Sequence, residues 1–306
     1  MTKQQKIRRA ACIGAVFAAA GAVFARSEYE RHHFTVTTYR VGNGSLPKSF
    51  EGYRIAVLAD LHANRFGKNN CRLIRELLKQ RPDAVIIAGD ALVAKPGKKM
   101  ETESLEAVFA FCRRRGIPVY FGNGNHEARM MEDGNGRYRD WYRQLERLLE
   151  RYGVNHPVNQ VSFVRRGDEQ IAIADFEIPE QYYRKKFHIP EMDPEEIERA
   201  VGKKGECFTI LLAHSPLFAR TCAQWGADVT VSGHFHGGTI RLPKFGGLMS
   251  PQFQFFSGYD RGCYEIKEGQ YQVTSAGLGT HSINLRLNNM SELVMLELVR
   301  TNETCS

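Results

Sequence analysis

Five short apolar runs, each closing on a residue type that binds metal, constrain the fold of this chain more than any other feature. Ile55-Ala56-Val57-Leu58 leads to Asp60 and His62. Ala84-Val85-Ile86-Ile87-Ala88-Gly89 leads to Asp90, and Val119-Tyr120-Phe121-Gly122 to Asn125 and His126. Phe208-Thr209-Ile210-Leu211-Leu212 leads to His214, and Asp228-Val229-Thr230-Val231 to Ser232-Gly233-His234-Phe235-His236. The runs are continuous rather than alternating, which predicts strands buried on both faces in an α/β sheet. In such sheets ligands gather beyond the carboxyl ends of the strands. The expectation is therefore that all these polar ends share one site.

Carboxylate, imidazole and amide donors without thiolate suit manganese, iron or zinc. The donors outnumber the needs of one ion. A carboxylate can bridge two ions ~3.5–4 Å apart, and such a pair can clamp the attacking and leaving oxygens of a displacement at phosphorus. Singly, each motif has an ordinary explanation. An Asp after a strand is an N-cap for the next helix, and a His beside an apolar run is a core or surface imidazole. The His-x-His pair on a glycine-flanked turn, and the recurrence at five strand ends, favour metal.

Asp60-Leu61-His62, Gly89-Asp90, Gly124-Asn125-His126-Glu127, His214 and Gly233-His234-Phe235-His236 resemble the motif series of the calcineurin-like metallophosphoesterases. The resemblance extends from about Gly52 to Arg300. The apolar N-terminal segment, His236-Gly237-Gly238-Thr239-Ile240-Arg241-Leu242-Pro243 and Gly277-Leu278-Gly279-Thr280 are similar to the membrane-anchored bacterial YkuE-like branch. The resemblance implies a four-layer α/β/β/α sandwich with two mixed β-sheets. It implies two divalent metal ions, manganese first, with iron or zinc as alternatives. Asp60, His62 and His236 would hold the first; Asn125, His214 and His234 the second; Asp90 would bridge and count among the catalytic groups. His126 would be no ligand but would contact the phosphate and assist the leaving oxygen. Glu127 could orient His126. Asp175, after Ile171-Ala172-Ile173-Ala174, matches an acidic position near the site. Many relatives carry a second Asp three residues after the bridging one; here it is Val93, which puts support of the ligands in doubt rather than metal binding. Asn64 and Arg65 are candidates for substrate contact, against the alternative of a solvated loop.

The chemistry implied is attack on an esterified phosphate by a hydroxide held between the ions. No Gly-x-x-x-x-Gly-Lys-[Ser/Thr] loop is present, against a P-loop nucleotidase. No Gly-x-Ser-x-Gly elbow is present, against a serine hydrolase. The substrate expected is an anionic phosphodiester or pyrophosphate, with lipid-linked and nucleotide-sugar-linked forms included. The alternatives are a phosphomonoesterase of the same mechanism and a non-catalytic member that binds metal or a partner. A metal amidohydrolase fits less well, since that class opens with His-x-His after its first strand. Gln181–Phe187 and Phe253–Tyr259 mix aromatic and polar groups and are candidates for substrate contact, weighed against ordinary surface packing.

Lys3, Lys6, Arg8 and Arg9 precede an uncharged, alanine-rich run from Ala10 to Ala25. Its sixteen residues fall short of the ~20 usual for a span, which snorkelling arginines can extend. It reads as an uncleaved signal anchor, giving a single-pass cell-membrane protein whose catalytic domain lies on the extracytoplasmic side. The alternative is export with cleavage near Ala25. The formal net charge is +8, and the first nine residues carry four of those charges. The remainder is only mildly basic, which suits an anionic substrate or a membrane surface and gives no reason to expect nucleic acid. No protein partner is evident. Seven cysteines lack zinc-like spacing, and the sequence does not establish disulfides.

The domain reading is a basic and apolar segment over 1–26, a linker and first strand over 27–50, and a metallophosphoesterase domain over 51–306. Within it, helices are expected at Asn69–Gln80, Glu101–Arg115, Arg137–Tyr152 and Pro216–Trp225. Another begins after Asp193, with Pro194 first and acids behind it. The C-terminus reads as strands ending at Leu293–Leu298.

Overall fold

The computed structural model describes residues 2–94, 100–132, 136, 138–184, 190–280 and 284–300. It opens on a helix α1, Lys3–His32, capped by the Thr2 side chain, followed by strand β1, Phe34–Val41. Then come β2 (Arg54–Leu58), α2 (Cys71–Gln80), β3 (Ala84–Ala88), α3 (Glu103–Arg115) and β4 (Val119–Gly122). Two helices, α4 (Asn125–Glu132) and α5 (Arg139–Tyr152), precede the antiparallel pair β5 (Val161–Arg166) and β6 (Glu169–Asp175). The chain continues through α6 (Pro194–Val201), β7 (Thr209–Leu212), α7 (Ala219–Trp225) and β8 (Val229–Ser232). A short ribbon of β9 (Arg241–Leu242) and β10 (Gly246–Gly247) separates these from β11 (Gly262–Lys267), β12 (Gln270–Thr274) and β13 (Ser291–Leu298).

Among the described residues, the longer strands form two mixed sheets. The first has the order β1-β13-β2-β3-β4, and the second β11-β12-β8-β7-β6-β5. Alternation along each strand sorts its side chains between two cores. On β2, Ile55 and Val57 meet Ile171, Ile173, Ile210, Val229 and Val231 of the other sheet. Ala56 and Leu58 face the opposite way, against Leu73, Leu77, Val108 and Leu145 of the outer helices. A third core packs Ala174 and Leu211 beneath Ile197, Cys222 and Trp225 of α6 and α7. Helix, sheet, sheet, helix is the four-layer α/β/β/α arrangement expected, and apolar contact on both faces explains the uninterrupted runs.

Differences from the sequence reading are local. α2 starts at Cys71, because Asn69 and Asn70 take left-handed φ values of 51° and 57°. The Asn70 side chain accepts from Phe66 N (2.8 Å) and donates to Ser104 O (3.0 Å), a tertiary clamp rather than a first turn. α3 starts at Glu103, and α5 is described from Arg139, Arg137 lying outside the described residues. Asp193 caps α6 as expected, accepting from Glu195 N at 2.9 Å. β1 pairs with β13 in parallel along its whole length, so it belongs to the first sheet.

Candidate metal centre

β2, β3 and β4 end side by side in the first sheet, as do β7 and β8 in the second. Their C-terminal ends deliver Asp60, His62, Asp90, His126, His214 and His234, all buried, and His236, whose side chain is slightly open. Five of the seven proposed ligands have left-handed backbones: Asp60 (φ 49°), His62 (46°), Asp90 (52°), His234 (67°) and His236 (49°). A non-glycine residue there costs of order 1–3 kcal/mol and persists where the surroundings over-determine it. The turns are forced back so that side chains from different strands meet. Gly89 shows how tight the meeting is. Its φ is +85°, and a Cβ there would lie 2.5 Å from His214 Nδ1.

Ligand-type atoms cluster in three overlapping sets: Asp60, His62 and His236; His62, Asp90 and His126; Asp90, His214 and His234. Asp90 Oδ2 lies 3.3 Å from His214 Nε2 and 3.8 Å from His62 Nε2, between the first and third sets. Asp60 Oδ1 lies 3.7 Å from both His236 Nε2 and His214 Nε2. His62 Nε2 and His236 Nε2 are 3.3 Å apart. Two ring nitrogens that close need a proton or a cation between them. Asn125, at the start of α4, buries its Oδ1 without a hydrogen-bond partner.

The imidazoles are held in the manner of ligands. His214 Nδ1 is 2.7 Å from Ala88 O, His236 Nδ1 is 3.1 Å from Gly279 O, and His234 Nε2 is 3.2 Å from Gln252 Oε1. A carbonyl oxygen only accepts, so each of these nitrogens carries the proton, and the other nitrogen keeps its lone pair. This is the outer support that metal-binding histidines use. Burial also holds His234 neutral, lowering its pKa to about 3, and burial with the Arg286 charge holds His236 well below its ordinary range. Burial pushes Asp60 up, whereas at Asp90 burial is outweighed by His214, His126 and His62, which hold it low. His214 is the exception: despite its burial, Asp90 and Asp60 carry its pKa to about 9, so without a cation its Nε2 holds a second proton, whose place a bound ion would take. Buried carboxylates packed against lone-pair nitrogens and an orphaned amide oxygen form a donor set that fits divalent cations.

His126 is different. Ala94 N donates to its Nδ1 at 2.9 Å, so the neutral ring carries its proton on Nε2. Its own main-chain N–H donates to Asp90 Oδ1 at 2.9 Å, which ties β4's end to β3's.

A profile of the calcineurin-like phosphoesterase family matches residues 53–238. This chain belongs to the calcineurin-like phosphoesterases. Among related phosphoesterases, it is 25% identical over 301 residues to YkuE of Bacillus subtilis, described as an uncharacterized metallophosphoesterase, covering 94% of this chain and 93% of that one. It is 29% identical over 274 residues to a transmembrane protein with a metallophosphoesterase domain from Bos taurus, covering 86% of this chain but 56% of the relative. It is 24% identical over 252 residues to the phosphodiesterase YaeI of Escherichia coli, covering 81% and 82%. The chain is thus a metal-dependent hydrolase of phosphoric esters, as the motif series implies.

Around this phosphoesterase site, Glu127, Asn64 and Arg65 take other places than expected. Glu127 accepts main-chain N–H groups of Asp90 and Gly124 at Oε2 and of Leu92 at Oε1, fastening the loops after β3 and β4. The restraint on the His126 ring comes from Ala94. Asn64 donates to Arg31 O and Leu278 O (3.1 and 2.8 Å), joining α1 to the loop after β12. Arg65 pairs on the surface with Glu101 and Glu103. Asp175 is buried at the end of β6, beside Gly122 and within electrostatic reach of His214, near the site as the resemblance implies, with its pKa raised by burial and by Glu177. Of the Gln181–Phe187 insert, Tyr183 stacks edge-on to His234 at 5.0 Å between centroids, while Tyr182 packs on Phe218 and bonds Glu196. Lys185 to Phe187 lie outside the described residues.

The sequence reading passed over Gln252, Asn289 and Arg286. Asn289 Nδ2 donates to His236 O at 2.6 Å. The buried Arg286 guanidinium donates to the carbonyls of Ala276, Gly277 and Gly279, fixing the acceptor that holds His236. These residues sit in loops without periodicity. The one available signal was an Arg between apolar residues near a glycine-rich stretch.

Proposed function

We propose that this phosphoesterase is a dinuclear, membrane-tethered hydrolase of phosphodiester or pyrophosphate bonds. The observation that carries the reading is Asp90 Oδ2 standing between His62 and His214, where one carboxylate can serve two ions. Asp60, His62 and His236 would hold one, and Asn125, His214 and His234 the other. Bound divalent ions supply Lewis acidity to phosphoryl oxygens and make water nucleophilic at neutral pH. The chain's own residues do the rest. His126 presents its Nε2 proton to the departing oxygen, because Ala94 occupies Nδ1. Ala88, Gln252 and Gly279 keep His214, His234 and His236 in the ligating tautomer. Tyr183 closes the site beside His234 and limits water on that side.

The diester preference draws on the phosphodiesterase named among the relatives. The tether rests on α1, which is long and apolar enough to cross a membrane. Its basic start favours a cytoplasmic N-terminus and an outward catalytic domain. Ser27 and Glu30 are buried against the domain just past Ala25, so the end of α1 is part of the folded body.

The test is metal content and hydrolysis measured together on the purified full chain loaded with manganese. About two ions per chain and faster hydrolysis of an aryl phosphodiester than of the matching monoester are expected. Asp90→Asn should abolish hydrolysis and lower the ion count. One ion per chain with full activity would rule out the shared carboxylate, and a monoester preference would rule out the diester.

A further inference from the structure

Among the described residues, the most exposed aromatic rings of the catalytic domain cluster on two turns that follow the His-x-His motif. Phe245, at the tip between β9 and β10, is 72% exposed; Phe255 and Phe256 are 60% and 51% exposed, and Leu242 is 38%. Phe245 and Phe256 pack together, with ring centroids 6.3 Å apart. Phe256 N bonds Leu248 O, and Leu248 N bonds Ile240 O, so the two turns form one unit. Lys244 stands at the tip, and with Arg241, Pro243 and Asn288 it lines an open concavity of about 420 Å³. Arg241 is partly neutralised by Asp260, at 3.2 Å.

This surface is fixed to the foot of α1. Arg241 N donates to Leu287 O and Leu287 N to Thr239 O, at 3.0 and 3.2 Å. Two flanking residues of the same loop hold the helix: Arg286 N donates to Ser27 Oγ at 3.1 Å, and Asn289 N to Glu30 Oε2 at 2.8 Å. Depth follows from helix geometry. Residues 3–26 of α1 are exposed, and the apolar run ends at Ala25. Ser27 is therefore docked ~3 Å of axial rise beyond the last apolar residue. The run itself spans only ~24 Å at 1.5 Å per residue, less than a hydrocarbon core of ~30 Å. With Ser27 docked directly after the exposed stretch, a bilayer crossed by α1 would lie against the domain with no linker between. Whatever touches the 286–289 loop sits within a headgroup layer ~5–7 Å deep.

Resting on the membrane-tether reading above, we propose that the β9–β10 hairpin and the Phe255–Phe256 turn are a membrane-seating surface, embedded in the headgroup region of the bilayer that α1 enters. Aromatic rings with an adjacent lysine suit that layer. The seat is also joined to the metal centre. A Cβ on Gly238, in the turn after His236, would collide with Gly247 of β10, and Gln252, which holds His234, lies in the loop before Phe255. The centre is thereby held at a set height over the lipid surface.

The experiment places tryptophan at the seat of the full chain: Phe245→Trp and Phe256→Trp, with Phe163→Trp on edge strand β5 as reference. Each is reconstituted into vesicles of phosphatidylcholine with a quarter phosphatidylglycerol, with or without bromine on the acyl chains. Seating ~5–10 Å into the interface should quench the added emission at Phe245 and Phe256 about twofold, and leave that at Phe163 unchanged. A chain that fails to float with the vesicles overturns the tether and the seat together. A chain that floats, with all three positions equally quenched or equally bright, overturns the seat and leaves the tether standing.

Discussion

A histidine in a crowded metal site can be a ligand or a proton donor, and its two ring nitrogens tell which. At His126 the Ala94 N–H occupies Nδ1, so binding a cation through Nε2 would require an imidazolate. Donation from Nε2 requires only the neutral ring. His126→Ala should therefore lower kcat by about 10²–10⁴-fold, the usual size of general acid catalysis, while manganese content stays at the unaltered chain's value. Loss of an ion from that variant would make His126 a ligand. Gln252 offers the complementary case. Gln252→Leu removes the acceptor at His234 Nε2 without much change of volume. Manganese affinity should fall about 10–100-fold, as with other lost supports of ligating histidines, and activity should return at high manganese. An unchanged manganese titration would remove Gln252 from the site. The ligand-type residues were legible in the sequence because strand ends repeat a pattern. Gln252 was not, since a loop glutamine four residues before Phe256 resembles any surface glutamine until the fold turns it inward.

At the scale of elements, the central strands and most helices were readable because those strands are buried on both faces and periodicity records burial, whereas edge strand β5, largely exposed, was not named. α4 was passed over for a related reason: it begins within the Asn125-His126-Glu127 motif, where chemistry rather than periodicity dictates the residues. Glu127 shows the same override, since three main-chain N–H groups claim its carboxylate. One loop carries a testable electrostatic signature. His156, after α5, is set against Asn123 Oδ1 at 2.9 Å, and burial lowers its pKa to about 4. Between that value and the unfolded ~6.5 the unfolded chain binds more protons, so stability rises with pH across the window. The contribution is complete above about 6.5 and is lost as pH falls towards 4, amounting to at most about 3.5 kcal/mol at ~1.4 kcal/mol per pKa unit. His156→Gln, which can still donate to Asn123, should flatten the unfolding free energy between about pH 4.5 and 6.5 relative to the unaltered chain. Parallel curves for the two chains would show that this burial carries no linkage.

For the whole molecule, the issue is how a long apolar N-terminal helix and an enzyme become one body. The apolar run from Ala10 to Ala25 announces the helix, but nothing in the local sequence announces that Ser27 and Glu30 are buried, because that depends on residues some 260 positions away. Asn64 adds a second tie, bonding both Arg31 O at the foot of α1 and Leu278 O next to the Gly279 carbonyl that holds His236. On the proposed tether, a helix joined this closely to the catalytic layers would set the side of the membrane on which hydrolysis occurs. Lys3, Lys6, Arg8 and Arg9 favour retention of the N-terminus inside. Cys71 then becomes a reporter, being free and exposed at the start of α2. A membrane-impermeant maleimide should label the full chain in right-side-out vesicles from expressing cells, and Cys71→Ser should remove most of that label. In inverted vesicles, labelling should require detergent. Labelling of Cys71 in the inverted vesicles alone would place the metal centre on the cytoplasmic face and reverse the orientation argued from the basic residues.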